Sequence, residues 1–597
     1  MANLSRTLIA AVVIVIVLVA GVVYYVSLPR PSTATTVSTS ATSSGIPAEI
    51  SVDESSPPGT MDAAGAQDNN ALEVVQNDLL PLVFCTNELC AQYEPVLASS
   101  WTASSDGLTY TFYLRHGVYY SNGDPFNAYV VWYNVYRDLI MNQPIDFIFF
   151  EYLNASGVTA KDLNALNNPQ NTPDATLLQL MQNPNNSVTV LNETTVQFHL
   201  TNPFVAFLKT IDTSPWVFVD PYIVSQHGGV ATNQPNSYMV VNGTLVGDGP
   251  YVTQTYVPNQ YAILVANPNY WAQNLTASDT NFVLQPAKIP KVVINYKGDE
   301  LTRTLDIETN KAQAAIVAFN DVPSVLKNDQ NLYIPDLGPS GSLEWVGIDA
   351  QKFPTNNPLV RQAIVEAVNV SEIDQVAFSG YAMPVLGPDL HGFFGYNDSI
   401  KPPPYDPADA KRLLAEAGFP GGKGLPPLNF VYATGAYTTL IAQVLQQDLA
   451  QVGITLVPQG MSTQAWIEEA YLPGNSTQAP YMQANNWTYY NDVSAYIAVT
   501  DANFGVIESF HNQTIVNLML KSNSELDPQK RAQEISQFTQ MLENSHAFIW
   551  TSQDLDLYDT GAGAGPTVFN KCLSGMFYNT AFNGVMFNVV YYTCAPS

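Results

Sequence analysis

The sequence predicts an α/β protein of more than one lobe, set behind a single N-terminal membrane-spanning helix. Three observations carry this. A chain of 597 residues is too long for one small domain and suggests two or three lobes. Residues 428–485 alternate short apolar strand-like runs with amphipathic helical runs, the pattern of a parallel sheet covered by helices. Leu8–Val26 is 19 residues without a charge, about 28 Å as a helix and enough to cross a bilayer core.

Arg6 precedes that apolar run and Tyr24-Tyr25 sit near its outer end, where aromatic rings prefer the interface. A cleaved signal peptide is the competing reading, but no small-residue cleavage site is clear, and the run is long for one. The first cysteine is Cys85, which excludes a bacterial lipoprotein anchor. Arg30 offsets Arg6, so the large acidic body is what sets the N-terminus inside and the bulk outside. Pro31–Gly45 is a Ser/Thr-rich stalk with nothing to bury. The expected organisation is an anchor over 1–30, a stalk over 31–46 and a folded body from 47.

Only 12% of residues are charged, and 51 acids face 22 bases for a net charge of −29. Such a surface repels nucleic acid and anionic lipid. The polar surface falls to Asn, Gln, Ser, Thr and Tyr, an extracytoplasmic composition. An acidic medium and simple lineage bias account for it equally. Of three possible cysteine pairings, spacing favours Cys85–Cys90 and Cys572–Cys594. Zinc is the rival, but none of the six His has ligand spacing beside them.

Along the body, Glu49–Asp53 alternates like a strand. Ser104-Ser105-Asp106-Gly107 is turn chemistry, Leu108–Leu114 alternates as a half-buried strand, and Asn127 suits the N-cap of the apolar helix after it. Gln143–Asn186 is Asn- and Pro-rich and reads as an insertion. Thr195–Leu200 is a strand. Gly247, Gly249 and Pro250 make a tight turn before two alternating strands; no P-loop Lys follows, so a phosphate cradle carries little weight. Trp345–Ala350 is an apolar strand. Asn357-Pro358 and Asp406-Pro407 open helices, the second closed by Gly418. Then come a strand at Leu428–Ala433, a helix at Thr438–Val452, a strand at Ile454–Val457, a helix at Thr463–Tyr471 and a strand at Tyr481–Asn485.

Several of these stretches resemble signatures of extracytoplasmic solute-binding proteins of family 5, the peptide and nickel class. Pro95, Leu97, Ala98, Trp101, Asp106, Gly107, Thr109, Tyr110, Phe112, Leu114, Arg115, Gly117, Val118, Phe126, Ala128 and Val131 follow its longest motif, with Val130 where an acid is usual. Gly247, Gly249, Pro250, Tyr251, Asn267, Pro268, Tyr270 and Trp271 match a second. Leu359–Ile364 and Tyr405–Gly418 match two helical motifs. The resemblance implies a two-lobed periplasmic-binding-protein-like fold (type II, cluster C style) with a ligand cleft. Lobe 1 would take 47–345 with an inserted subdomain, lobe 2 346–548, and 549–597 would return to lobe 1. It implies a receptor of an ABC importer that closes on its solute and docks, as a monomer, on separate permease subunits.

Ligands of open parallel sheets sit beyond the carboxyl ends of strands. One such end carries Asn486, Trp487, Tyr489, Tyr490, Asn491 and Asp492, a set able to stack on and hydrogen-bond a solute. A packed aromatic corner is the bland alternative. The family's first cleft acid, which pairs with a peptide's ammonium, is Tyr490 here, and Asp492 matches the second acid after a one-residue deletion. That leaves an oligopeptide as first expectation and an oligosaccharide as the alternative. No catalytic residue, metal site or cofactor is expected. Glu468-Glu469 are neighbours on a helix and do not face each other, and His227 and His391 are lone loop histidines. A surface hydrolase and a surface-layer component are the readings from other classes. Beyond the stalk, sequons outside the aromatic stretch stand at Asn154, Asn185, Asn192, Asn242, Asn274, Asn369, Asn397, Asn475 and Asn512.

Overall fold

Three sheets organise the body in the computed structural model, which describes residues 47–594 other than 67, 86–91, 144–151, 156, 213–215, 237–244, 336–338, 471–478, 489–491, 495–511, 556–564, 576–577 and 580–583. The predicted anchor and stalk lie outside the described residues. Among the described residues no helix is long and apolar enough to cross a membrane.

The first sheet has seven strands in the order Leu332–Tyr333, Thr567–Asn570, Ala314–Ile316, Glu49–Glu54, Lys291–Tyr296, Tyr261–Ala266 and Tyr251–Val257. The alternating Glu49–Glu54 strand is central and runs parallel to both neighbours. The two strands predicted after the Gly247 turn form an antiparallel hairpin at one edge, with Asn259 taking the left-handed conformation in the connection. At the other edge the chain comes back after more than 200 residues to insert Thr567–Asn570 between Leu332–Tyr333 and Ala314–Ile316.

A second, antiparallel sheet of four strands joins Ala98–Ala103, Thr109–Leu114, Thr195–His199 and Val188–Asn192. Its alternation is as read from the sequence: Tyr110, Phe112 and Leu114 are buried, while Tyr113 between them is 42% exposed. Asn127 caps the helix Ala128–Met141 by accepting from the amides of Tyr129 and Val130. Val130 is fully buried, an environment that suits its apolar side chain. Arg115 ties the signature strand to its own start, donating to the carbonyls of Val96 and Pro95. Among the described residues, the insertion over 143–186 holds two short helices, Ala160–Leu163 and Ala175–Met181.

The third sheet has six strands, in the order Ala382–Met383, Phe548–Leu555, Pro339–Ile348, Met482–Thr488, Leu428–Ala433 and Leu456–Met461. The predicted parallel unit is present, since Leu428–Ala433 runs parallel to both Leu456–Met461 and Met482–Thr488, and the helices Ala436–Gln451 and Thr463–Ala470 connect them. Asn357 and Asp406 cap the helices Pro358–Ala367 and Pro407–Glu416 with their side chains. The positions expected for the lobe crossings, near 345 and 548, fall in the strands Pro339–Ile348 and Phe548–Leu555, which lie side by side and antiparallel in this sheet. One face of the sheet packs Val346, Ile348, Met482 and Ala484 into one core, and the other packs Leu343, Trp345 and Trp550 into the larger one.

Several strand ends differ from the sequence reading, among them those of the strand expected at Ile454–Val457, which spans Leu456–Met461. The strand expected at Trp345–Ala350 spans Pro339–Ile348, because Ser342 and Glu344 are buried by pairing rather than by apolarity. The strand expected to stop at Asn485 runs through Thr488, because Asn486 and Trp487 continue the ladder opposite Glu344 and Leu343. Cys572 and Cys594 form the expected disulfide. Cys85 is also disulfide-bonded, and Cys90 lies outside the described residues. Among the sequons, Asn154, Asn185, Asn192 and Asn274 are exposed, Asn369 and Asn512 cap helices, and Asn397 donates to Ser536. Asn242 and Asn475 lie outside the described residues.

Candidate functional site

The extra length of the Met482–Thr488 strand decides how its end residues are displayed. Successive side chains on a strand point to opposite faces, so Asn486 and Trp487 cannot serve one surface together. Asn486 faces the side of Met482 and Ala484. Its Nδ2 donates to the buried Glu344, which also accepts from the hydroxyl of Tyr437 at 2.7 Å. Trp487 faces the other side, half-buried against the larger core. Tyr489, Tyr490 and Asn491 lie outside the described residues.

Asp492, the acid that the sequence offered to a ligand's ammonium, is 1% exposed and already holds two cations. Arg531 donates to its Oδ1 at 2.6 Å, and Lys209 Nζ lies 3.7 Å from Oδ2. The backbone and hydroxyl of Ser494 add hydrogen bonds at 3.1 and 2.8 Å. Burial opposes ionisation here, but the two cations and these bonds outweigh it and bring the carboxyl down to about 2. Burial lowers Lys209 by more than Asp492 raises it, so the short Arg531 contact is the stronger arm. Asp389, nearly inaccessible beside them, is pushed well above the usual carboxylate range by burial and then by the charge of Asp492.

Three distant elements build this cluster. Lys209 comes from the short helix Phe207–Thr210, Asp492 from the segment after the sheet strand, and Arg531 from the helix Pro528–Ser545. Arg531 also donates to the carbonyl of Ser522 and lies 5.0 Å from the ring centre of Phe394. Sequence reasoning missed Arg531, Lys209 and Glu344. One signal was present: Arg531 shares the helical stripe of Ile535, Phe538 and Leu542, all buried, and a base on an apolar stripe needs an interior anion.

The remaining motifs resolve into structure. A Cβ on Gly247 would lie 1.8 Å from the carbonyl oxygen of Asp78, and one on Gly249 2.6 Å from that of Asn77. The glycines are there to let the turn press on the helix Asn69–Asp78, not to cradle a phosphate. The second signature closes on this turn, with Asn267 donating to the carbonyl of Gly249 and Trp271 to that of Asp248. Glu468 is exposed, His227 bonds the carbonyl of Ile223, and His391 bonds the hydroxyl of Tyr396. The arrangement suits hydrogen bonding, stacking and ion pairing; among the described residues no group of three or more His, Cys, Asp or Glu could hold a metal ion.

A family model for bacterial extracellular solute-binding proteins, family 5, matches residues 92–506. The glutathione-binding protein GsiB of Escherichia coli O1:K1 is 26% identical over 474 residues, covering 78% of this chain and 79% of its own. Among solved structures, DppA of Helicobacter pylori in complex with the peptide STSA superposes with a TM-score of 0.69 at 22% identity, over 91% of this chain and 98% of that one. The murein tripeptide binding protein MppA of Escherichia coli does so with a TM-score of 0.70 at 20% identity, over 91% and 98%. These likenesses show a shared two-lobed periplasmic-binding-protein fold of mixed α/β type.

Proposed function

The chain belongs to the family 5 extracellular solute-binding proteins of ABC importers, which are binding proteins and not enzymes, and on that premise we propose that it is a membrane-anchored receptor that captures oligopeptides outside the cell. In this reading residues 8–26 hold it to the membrane. The solute enters between the lobes, the population shifts from open to closed, and the closed form delivers to a permease in the membrane. The observation that carries the mechanism is the double crossing. Tyr333 and Thr567 belong to the seven-stranded sheet, while Pro339–Ile348 and Phe548–Leu555, the next strands inward, pair in the six-stranded sheet. Two adjacent strands carrying both crossings suit a hinge. The ligand class draws support from relatives named for glutathione, a bound peptide and a murein tripeptide.

Asp492 gives one specific reason for the oligosaccharide alternative. With Arg531 and Lys209 on its oxygens, it is not offered to an ammonium, and a buried ammonium without an acid is costly. Trp487 and the segment 489–491 would then supply faces and amides to a neutral sugar. Calorimetry and small-angle scattering on the full-length protein separate the two. A free peptide mixture should bind and compact the protein, and an N-acetylated mixture should bind at least tenfold more weakly. Equal binding of both mixtures would remove ammonium recognition. Tight, compacting binding of cello- or malto-oligosaccharides with no peptide binding would replace the peptide reading.

A further inference from the structure

The first lobe keeps several carboxyl groups in its interior under conditions that suit an acid and not a carboxylate. Asp78 and Asp248 are wholly inaccessible: Asp78 ends the helix Asn69–Asp78, and Asp248 sits between the two glycines of the turn pressed against it. Asp78 is bonded by the amide of Thr253 at 2.7 Å and by its hydroxyl. Asp248 accepts from the amide of Leu80 at 2.9 Å, and its second oxygen is buried without a partner among the described residues. Asp212, also fully buried, accepts from the amide of Cys85 at 2.6 Å, and its other oxygen is likewise buried and unpartnered there. Glu73, on the same helix as Asp78, is fully buried beside the equally buried Glu54, whose charge opposes its own.

The chain places cations against other buried acids: Arg137 holds Asp62, Lys297 holds Asp53, and Arg531 holds Asp492. It places none against Asp78, Asp248 or Asp212 among the described residues. The titratable groups that do face these acids are mostly acidic themselves. Tyr120 and Tyr270 face Asp248, Tyr93 faces Asp212, Tyr296 faces Glu54 and Glu73, and Arg303 faces Glu54. Arg303 is engaged by the carbonyls of Ile316 and Lys297. A charged carboxylate in such a place is costly, and binding a proton is the cheaper alternative.

We propose that Asp78, Asp248, Asp212 and Glu73 are neutral acids in the native protein, so that the receptor takes up protons as it folds and is built to work in an acidic medium. Burial supports this by raising Asp78 and Asp248 each to about 8 and Asp212 and Glu73 well above the carboxylate range. Elsewhere Glu543 rises to about 7. The sign follows. Above an unfolded value of about 4 the native state holds more protons than the unfolded chain, so stability falls as pH rises, until the native groups themselves ionise near 8. The depressed Asp492 acts below about pH 4, outside this window. His199 and His546, lowered by burial, act in the opposite sense, and only below about pH 6.5.

The experiment is urea unfolding of the full-length protein from pH 5 to pH 8, for wild type and for Asp78→Asn with Asp248→Asn. Asparagine keeps the acceptor oxygen and cannot ionise. The wild-type midpoint should fall steadily with pH. Its unfolding constant, relative to that of the double variant, should rise about a hundredfold per pH unit, tenfold for each proton held. If the double variant does not fold, infrared spectra of wild type at pH 6 read the same point, through the carbonyl stretch of protonated carboxyls that survives in the folded state and vanishes on unfolding. A midpoint that is flat or rises from pH 5 to pH 8, or the absence of that band, would overturn the proposal.

Discussion

Replacing Asp492 by Asn tests whether the Lys209–Asp492–Arg531 cluster holds the molecule together at the point where three remote segments meet. The carboxyl sits at about 2 against an ordinary 3.8. At about 1.36 kcal/mol per pH unit, that gap is worth about 2.4 kcal/mol of native stability. The loss should be larger than this, because Arg531 is 6% exposed and would keep its charge with no anion beside it. Removal of one partner of a buried pair costs about 3–5 kcal/mol. Asparagine still accepts from Ser494, so the deficit reports the charge and not the turn. Equilibrium unfolding followed by tryptophan fluorescence at pH 6 should show a loss of about 3 kcal/mol, and adding Arg531→Met should recover part of it. The folded value is depressed, so the contribution is present above about pH 4 and disappears as pH falls through about 2. Wild type and variant should therefore converge in strong acid. A variant within about 1 kcal/mol of wild type at pH 6, or a difference unchanged below pH 2, would refute the reasoning.

Other sites give sharp expectations. Gly247→Ala drives a methyl into the carbonyl oxygen of Asp78, 1.8 Å from the ideal Cβ; a denaturation midpoint should register a loss of about 3 kcal/mol or more. Arg137→Met strands Asp62, now bonded at 2.5 Å with both side chains buried, and should lower stability by about 3–5 kcal/mol, with Asp62→Asn in the same chain restoring part of it. Cys572→Ser opens a bridge that spans 22 residues; melting curves should lose about 3 kcal/mol, and reductant should bring wild type most of the way to the variant.

The sequence alone determined the features that depend on near neighbours. Leu108–Leu114 alternates with a period of two, and that period puts Tyr110 and Phe112 in the core whatever lies across from them. Asn127, Asn357 and Asp406 cap helices because each bonds amides two or three residues ahead, all within one turn of chain. The strand–helix alternation from Leu428 onward implied parallel pairing for the same reason: a covered crossover of that length returns a strand in the same direction. Tertiary structure decided what depends on partners far along the chain. Nothing near Asn486 says that the ladder continues to Thr488; Glu344 and Leu343 opposite it do, and they then send Asn486 and Trp487 to different faces. Nothing near Asp492 announces Lys209 or Arg531, since its charge is fixed by side chains 283 and 39 positions away that only folding brings within reach. Local propensity acts within a turn or a strand, whereas burial and Coulomb energy act through space, and it is these that choose which acids ionise and which remain protonated.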